Sequence, residues 1–308
     1  MATVEAYLSD AFLDRVRRAY QRALSAQPPT RGLWASHDAR RNDVHAALID
    51  RDNDALRSIF TDPTTTDLYY GVDDLCRSII RLDVPSEFVN VALRHDRARI
   101  ATYQIARLQE LLPAARSVVE IGPGMGRAAY YGHRAGLDYT TIDLPLGIVA
   151  QACFLGRALS PDALWFAGED EAASDGRIKL LYSVPDDRFD VVLNVDSITE
   201  MPAAVAFEYF RWAASHGRCL LSINHEKNRF TVTKLAAFSA PMQRIVRRPC
   251  PAWDGYVEEA FSLEQQDLLP RRLRLTAFQA FVLAHRIKRR VARRLCVSTR
   301  FASSNGSE

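Results

Sequence analysis

Five cysteines in 308 residues, none close to another, are too few and too scattered for a disulfide framework or a zinc-binding spacing. Cys76, Cys153, Cys219, Cys250 and Cys296 therefore predict a reducing compartment. No apolar run approaches the roughly 20 residues that cross a bilayer, and the first residues lack the basic-then-apolar order of a secretory leader. The expected address is the cytoplasm. A net charge of only +3 leaves no general nucleic-acid footprint, so no nucleic-acid partner is expected. There is no internal repeat. What remains is an ordinary globular composition, 48% hydrophobic and 25% charged, with enough length to bury a sizeable core.

The stretch that organises the chain is Val118-Val119-Glu120-Ile121-Gly122-Pro123-Gly124-Met125-Gly126-Arg127. β-Branched residues lead into an acid, three glycines alternate with bulkier residues, and a helical pattern follows. That order predicts strand, tight turn, helix, with glycines that let the backbone pass close to a ligand. A Gly-rich turn by itself is weak evidence, and its place in a βαβ unit is what raises it. The next strand, Tyr139–Ile142, ends at Asp143. An acid there either caps the following helix or accepts hydrogen bonds from both hydroxyls of a ribose; with the glycine turn, the ribose reading is favoured.

A dinucleotide site needs Gly-x-Gly-x-x-Gly, but the third position of that pattern is Arg127, and the third glycine comes one residue early at Gly126. Glu120 would also repel a pyrophosphate, whereas it suits a ligand bearing an ammonium and a sulfonium. Glu120-x-Gly122-x-Gly124-x-Gly126 with the strand-ending Asp143 resembles the first two motifs of class I S-adenosylmethionine-dependent methyltransferases. The resemblance implies S-adenosyl-L-methionine as cofactor, with Glu120, Gly122, Gly124, Gly126, Asp143 and Leu144 around it. It also implies a Rossmann-like α/β sheet, mostly parallel with helices on both faces.

Read in order, residues 1–27 form a helix with Phe12, Val16, Ala19, Tyr20 and Ala23 at helical spacing, ended by Pro28-Pro29. Short helices follow at 43–49 and 56–60, then a turn-rich loop at 61–67. A longer helix runs from about His95 to Leu112. Residues 1–110 are expected to form a helical segment that either covers the mouth of the cofactor domain or only completes its core. From Ser117 the pattern alternates as a doubly wound fold should. A helix over 127–135 follows the glycine turn, and another follows Pro145, a residue suited to a first helical turn. Residues 160–177 are expected to be a loop, with strands at 178–182, 189–194 and 218–224. Thr231–Ala240 is expected to be a helix. Arg244–Val246 and Leu273–Ala277 are expected as closing antiparallel strands, although 271–295 fits a long helix equally well. The expected cofactor domain is 111–297, with a disordered polar tail at 298–308. Ser183, after the 178–182 strand, is expected beside an adenine.

After the 189–194 strand comes Asn194-Val195-Asp196-Ser197-Ile198-Thr199-Glu200-Met201, at the carboxyl edge where ligands bind open α/β sheets. Ser197 and Glu200 have capping-box spacing. Asn194 and Asp196 are the better functional candidates, because a cap requires neither. Together with Ile142-Asp143-Leu144-Pro145 and the helix carrying Gln151, Phe154 and Leu155, this run is similar to the sugar O-methyltransferase family over about residues 117–225. That likeness implies methyl transfer to a glycosyl hydroxyl of a polysaccharide, glycolipid or glycosylated metabolite. Asn194 is then placed with the cofactor, and Ser197, Glu200 and Tyr103 with the substrate, although a helix-packing role suits Tyr103 as well.

A sugar hydroxyl needs a base within reach of its proton. His225, directly after the 218–224 strand, has a suitable titration range, and Asp196 is the other candidate. Asp196, Glu200, His225 and Glu226 have no spacing that demands magnesium, so no metal is expected. Residues 286–294 carry six positive charges and no acid, with Ile287, Val291 and Leu295 on one helical face. Such a segment is either a solvated terminal helix or a peripheral contact with the anionic inner face of a membrane.

Overall fold

The computed structural model describes residues 8–26, 46–48, 50–55, 96–169, 176–239, 242–263, 276–284 and 287. The turn at 28–30, the helix at 56–60, the loop at 61–67, most of the basic run 286–294 and the tail at 298–308 lie outside them. In chain order the elements are α1 (Asp10–Ala26), α2 (Asp96–Leu111), β1 (Ser117–Ile121), α3 (Arg127–Arg134), β2 (Asp138–Ile142), α4 (Pro145–Ala158), β3 (Leu164–Phe166) and β4 (Ile178–Leu181). They continue with β5 (Phe189–Val195), α5 (Ala203–His216), β6 (Gly217–His225), α6 (Val232–Ser239), β7 (Gln243–Pro249) and β8 (Tyr256–Ser262). Residues 276–284 are helical.

The eight strands form one sheet in the order β3-β4-β2-β1-β5-β6-β8-β7. All neighbours run parallel except β6 with β8 and β7 with β8. This is the expected mostly parallel, Rossmann-like α/β architecture. Successive strands build leftward from β1 to β2 and β4, then rightward from β5 to β6. That reversal opens a crevice at the carboxyl ends of β1 and β5.

Side chains alternate across the sheet, so Val118 and Val119 serve opposite faces. On one face Val118, Tyr139 and Leu193 pack with Val16 and Tyr20 of α1, Ile105 and Leu108 of α2, Ala129 of α3 and Leu155 of α4. On the other, Val119, Ile121 and Val192 pack with Phe207 and Phe210 of α5, Leu235 of α6 and Phe278. Both faces are covered, which is why β1 and β5 read as near-continuous apolar runs. The helix after the glycine turn, the one after Pro145 and α1 all form where their periodicity places them. Among the described residues, no helix is long and apolar enough to cross a membrane.

Two expectations are corrected. The loop expected over 160–177 contains a 3-10 turn, Pro161–Ala163, and the edge strand β3, paired in parallel with β4. Three residues are too few to show a period, and β3 takes its conformation from its neighbour. The partner of β7 is β8, not Leu273–Ala277, of which residues 276 and 277 are helical. β8 hid because Glu258 and Glu259 sit at its centre. Both are buried, and arginines make that burial possible: Arg107 meets Glu258 at 2.7 Å and Arg247 meets Glu259 at 3.0 Å.

Candidate functional site

The bend after β1 is built from left-handed backbone. Gly122, Gly124 and Gly126 have φ of 67°, 61° and 79°, a region that side chains other than short polar ones rarely enter. The Gly122 amide donates to the Ile142 carbonyl at 2.9 Å, which ties the bend to the end of β2. A Cβ on Gly122 would stand 2.5 Å from Ser197 Oγ, whereas a Cβ on Gly124 would have none of the described residues within 4 Å. Gly122 therefore permits close packing below the bend, and Gly124 faces open space. Gly126 begins α3 against Leu155 and Gln151 of α4.

Glu120 lies just beneath, 3% exposed, and accepts a 3.0 Å hydrogen bond from the Tyr139 hydroxyl. Burial, reinforced by the nearby Asp143 charge and opposed by that hydrogen bond, pushes its carboxyl up to about 8. A cation arriving beside it would favour the ionised form. Asp143, one strand along, accepts from the Leu144 amide at 2.7 Å and from Gln151 Nε2 at 2.9 Å. Gly147 leaves room for that carboxylate, since a Cβ there would come within 2.4 Å of it. Leu144 is 41% exposed, and Ser183 is exposed at the carboxyl end of neighbouring β4. The structure thus sets Gly126, Gln151 and Asp143 in one seam and places Leu144 and Ser183 at its outer side.

Asn194 and Ser197 serve the floor of the crevice. Asn194 Nδ2 donates to the Ile121 carbonyl at 3.1 Å and also to Ser197 Oγ, which itself donates to that carbonyl at 2.7 Å. Asn224 donates to Asn194 Oδ1 at 2.8 Å and to Ser222, while Thr199 donates to Asn224 Oδ1 at 2.9 Å. These contacts lock together the ends of β1, β5 and β6. Such fully satisfied buried networks rigidify their surroundings. They also correct two expectations: Ser197 and Glu200 form no capping box, because α5 starts later, behind Pro202, and Asn194 is fully buried with both ends of its amide engaged below the crevice.

On the far side stands Asp196, at φ 50°. Its Oδ2 accepts a 2.7 Å hydrogen bond from Tyr256, and its Oδ1 is buried with no hydrogen-bond partner among the described residues. Tyr256 is stacked on Trp253 with ring centres 3.7 Å apart and meets His225 edge-on. Glu200 is half-buried, and burial, then the Asp196 charge, raises its carboxyl above the ordinary range.

His225 is placed at this edge but with its chemistry turned away. Its Nδ1 faces the Lys227 amide at 3.0 Å, and that amide can only donate. In the neutral ring the proton then sits on Nε2, beside Gly255, so neither nitrogen is ready to take a proton from a ligand. Tyr103 is likewise committed elsewhere. Its hydroxyl donates to Glu258, and burial followed by that carboxylate pushes its ionisation upward. It fastens α2 to β8 beside Arg107 and Arg248. Among the described residues no cluster of His, Cys, Asp or Glu has the makings of a metal site.

Sequence reasoning missed Tyr256 and Trp253, because the strand and hairpin that present them have no visible period. Gln151 had a signal: it lies two turns into the helix that starts at Pro145, on the face shared with Ile148, Ala152 and Leu155.

No protein-family model matches the chain, and no curated protein does. Solved structures align with it at low identity. Magnesium protoporphyrin IX methyltransferase from Synechocystis, solved with bound S-adenosylmethionine, is 14% identical, with a TM-score of 0.39 over 74% of this chain and 99% of that one. An N-methyltransferase from Bradyrhizobium japonicum, in complex with S-adenosylhomocysteine, is 13% identical, with a TM-score of 0.43 over 63% and 100%. An O-methyltransferase family protein from Burkholderia thailandensis is 16% identical, with a TM-score of 0.38 over 57% and 60%.

Proposed function

We propose that the protein is an S-adenosyl-L-methionine-dependent O-methyltransferase whose acceptor is a hydroxyl of a glycosylated precursor. One observation carries the reading: among the described residues, a bend of three left-handed glycines, open above Gly124, is flanked by two buried side-chain oxygens without hydrogen-bond partners, Gln151 Oε1 and Asp196 Oδ1. Buried polar atoms are ordinarily paired, and orphans on both sides of an open crevice fit a polar ligand on each side.

The residues present fit such a donor. Glu120, Gly122, Gly124 and Gly126 would hold its amino-acid part, and Asp143 its ribose, with Leu144 and Ser183 beside the adenine. When bound, the donor supplies a methyl group already activated on a sulfonium. The chain's own work is then to position the acceptor and move one proton. Asp196 Oδ1 accepts the proton of the acceptor hydroxyl, while Tyr256 holds the other oxygen of the same carboxylate. The network beneath Asn194 and Ser197 keeps the Asp196 turn at a fixed distance from the glycine bend. Glu200 stands beside Asp196 on the acceptor side. The sugar assignment rests on the motif resemblance.

The test is calorimetric titration with S-adenosylmethionine, followed by incubation with labelled donor and a panel of nucleotide sugars, glycolipids, phenols and amines. Binding and labelling of a sugar hydroxyl are expected. Binding with labelling only of phenols or amines would overturn the acceptor class, and absence of binding would overturn the enzyme reading.

A further inference from the structure

Gln151 is fully buried on α4, yet only one end of its amide is used. Its Nε2 faces Asp143 Oδ2 at 2.9 Å. An ionised carboxylate only accepts, so the nitrogen must be the atom on that side, and the orientation of the amide is not arbitrary. The oxygen is thereby forced to the opposite side, where it is buried and finds no donor among the described residues. The same side chain lies against the glycine bend: its Cγ would be 3.4 Å from a Cβ on Gly126. Gln151 is therefore wedged between the two elements that would grip the donor. A glutamine that only filled this gap would be served as well by leucine or methionine, which leave no polar atom unsatisfied.

Resting on the donor reading above, we infer that Gln151 is a second ribose-binding residue: Nε2 orients the Asp143 carboxylate, and Oε1 accepts a hydrogen bond from one ribose hydroxyl. A site built to pair with a hydroxyl rejects the analogue that lacks it, because its own buried group is then left unpaired. The consequence is discrimination between the two hydroxyls of the ribose, which an acid alone would treat more evenly.

The experiment compares S-adenosylhomocysteine with its 2′-deoxy and 3′-deoxy forms by calorimetry on the wild type, Gln151→Met and Gln151→Glu. The wild type should bind one deoxy form about 10-fold more weakly than the parent, the equivalent of one lost hydrogen bond. Gln151→Met should bind the parent about 10-fold more weakly and lose that discrimination. Gln151→Glu keeps the shape but can donate to Asp143 only when it holds a proton, so its affinity relative to wild type should fall as pH rises from 5 to 7.5. Glu120 and Tyr209, which feel the Asp143 charge, are common to both proteins, so their own titration enters both sides of that ratio. Unchanged discrimination in Gln151→Met, or a flat ratio for Gln151→Glu, would overturn the inference while leaving the donor reading standing. Failure of the wild type to bind any of the three nucleosides would overturn both.

Discussion

Tyr256 on β8 donates a 2.7 Å hydrogen bond to Asp196, sixty residues earlier at the end of β5. The contact spans β6, which lies between those strands, and it fixes one oxygen of the carboxylate while the other has no partner among the described residues. An acid held in this way keeps one lone-pair direction for a ligand. Its left-handed backbone adds strain that only the surrounding network makes tolerable.

Asp196→Asn should lower turnover by about 10²–10⁴-fold, the usual worth of a positioned base, with donor affinity unchanged. Tyr256→Phe removes the hydrogen bond that aims the carboxylate and should lower turnover by about 10-fold. His225→Ala should leave turnover near wild type, because its ring nitrogens face the Lys227 amide and Gly255. Single-turnover rates measured at saturating donor test all three. A His225 effect as large as that of Asp196 would reverse the assignment.

Gly124→Val should abolish donor binding while costing about 1–2 kcal/mol of stability, the price of left-handed backbone. Its side chain would enter the open space above the bend. Gly122→Ala should do the reverse, destabilising the fold first, because its Cβ would collide with Ser197. Calorimetry for binding and denaturant midpoints for stability separate the two variants.

Glu120 gives the protein a pH signature. Its carboxyl sits near 8 when folded against an ordinary value of 4.5. Between those values the folded chain keeps a proton that the unfolded chain has released, so stability falls as pH rises, by up to about 1.4 kcal/mol per unit. Glu120→Gln retains an acceptor for Tyr139 and should flatten that slope, making the variant more stable than wild type at pH 8.5. The same variant should bind a cationic donor more weakly, since it lacks the charge that a cation would draw out. Unfolding curves at pH 5, 7 and 8.5 check the first expectation, and calorimetry checks the second.

Glu258→Gln should cost about 3–5 kcal/mol, because Arg107 would lose its buried carboxylate partner and keep only the exposed Glu110, at 2.6 Å. Tyr103 and Arg248 also meet Glu258. Donor affinity and turnover should not change, and a fall in turnover at unchanged donor affinity would return Tyr103 to the substrate side.

Local patterning decided much of this protein. The glycine bend, the strand ending at Asp143 and the turn carrying Asp196 are each specified by residues adjacent in the chain, and β1, β2, β5 and β6 lie where their apolar runs place them. Those features depend on backbone conformation and on burial of one face, both written in short segments. Partnerships between distant segments were decided only by the tertiary structure. β3 exists because β4 is beside it, and β8 can bury two glutamates because arginines from α2 and β7 reach them. The Lys227 amide engages Nδ1 of His225, Asn194 and Ser197 were drawn into the floor by Ile121 and Asn224, and Gln151 and Tyr256 were brought to Asp143 and Asp196. The alternation of apolar residues determines which face is buried, whereas the role of a polar side chain depends on which atom of another segment lies within about 3 Å of it.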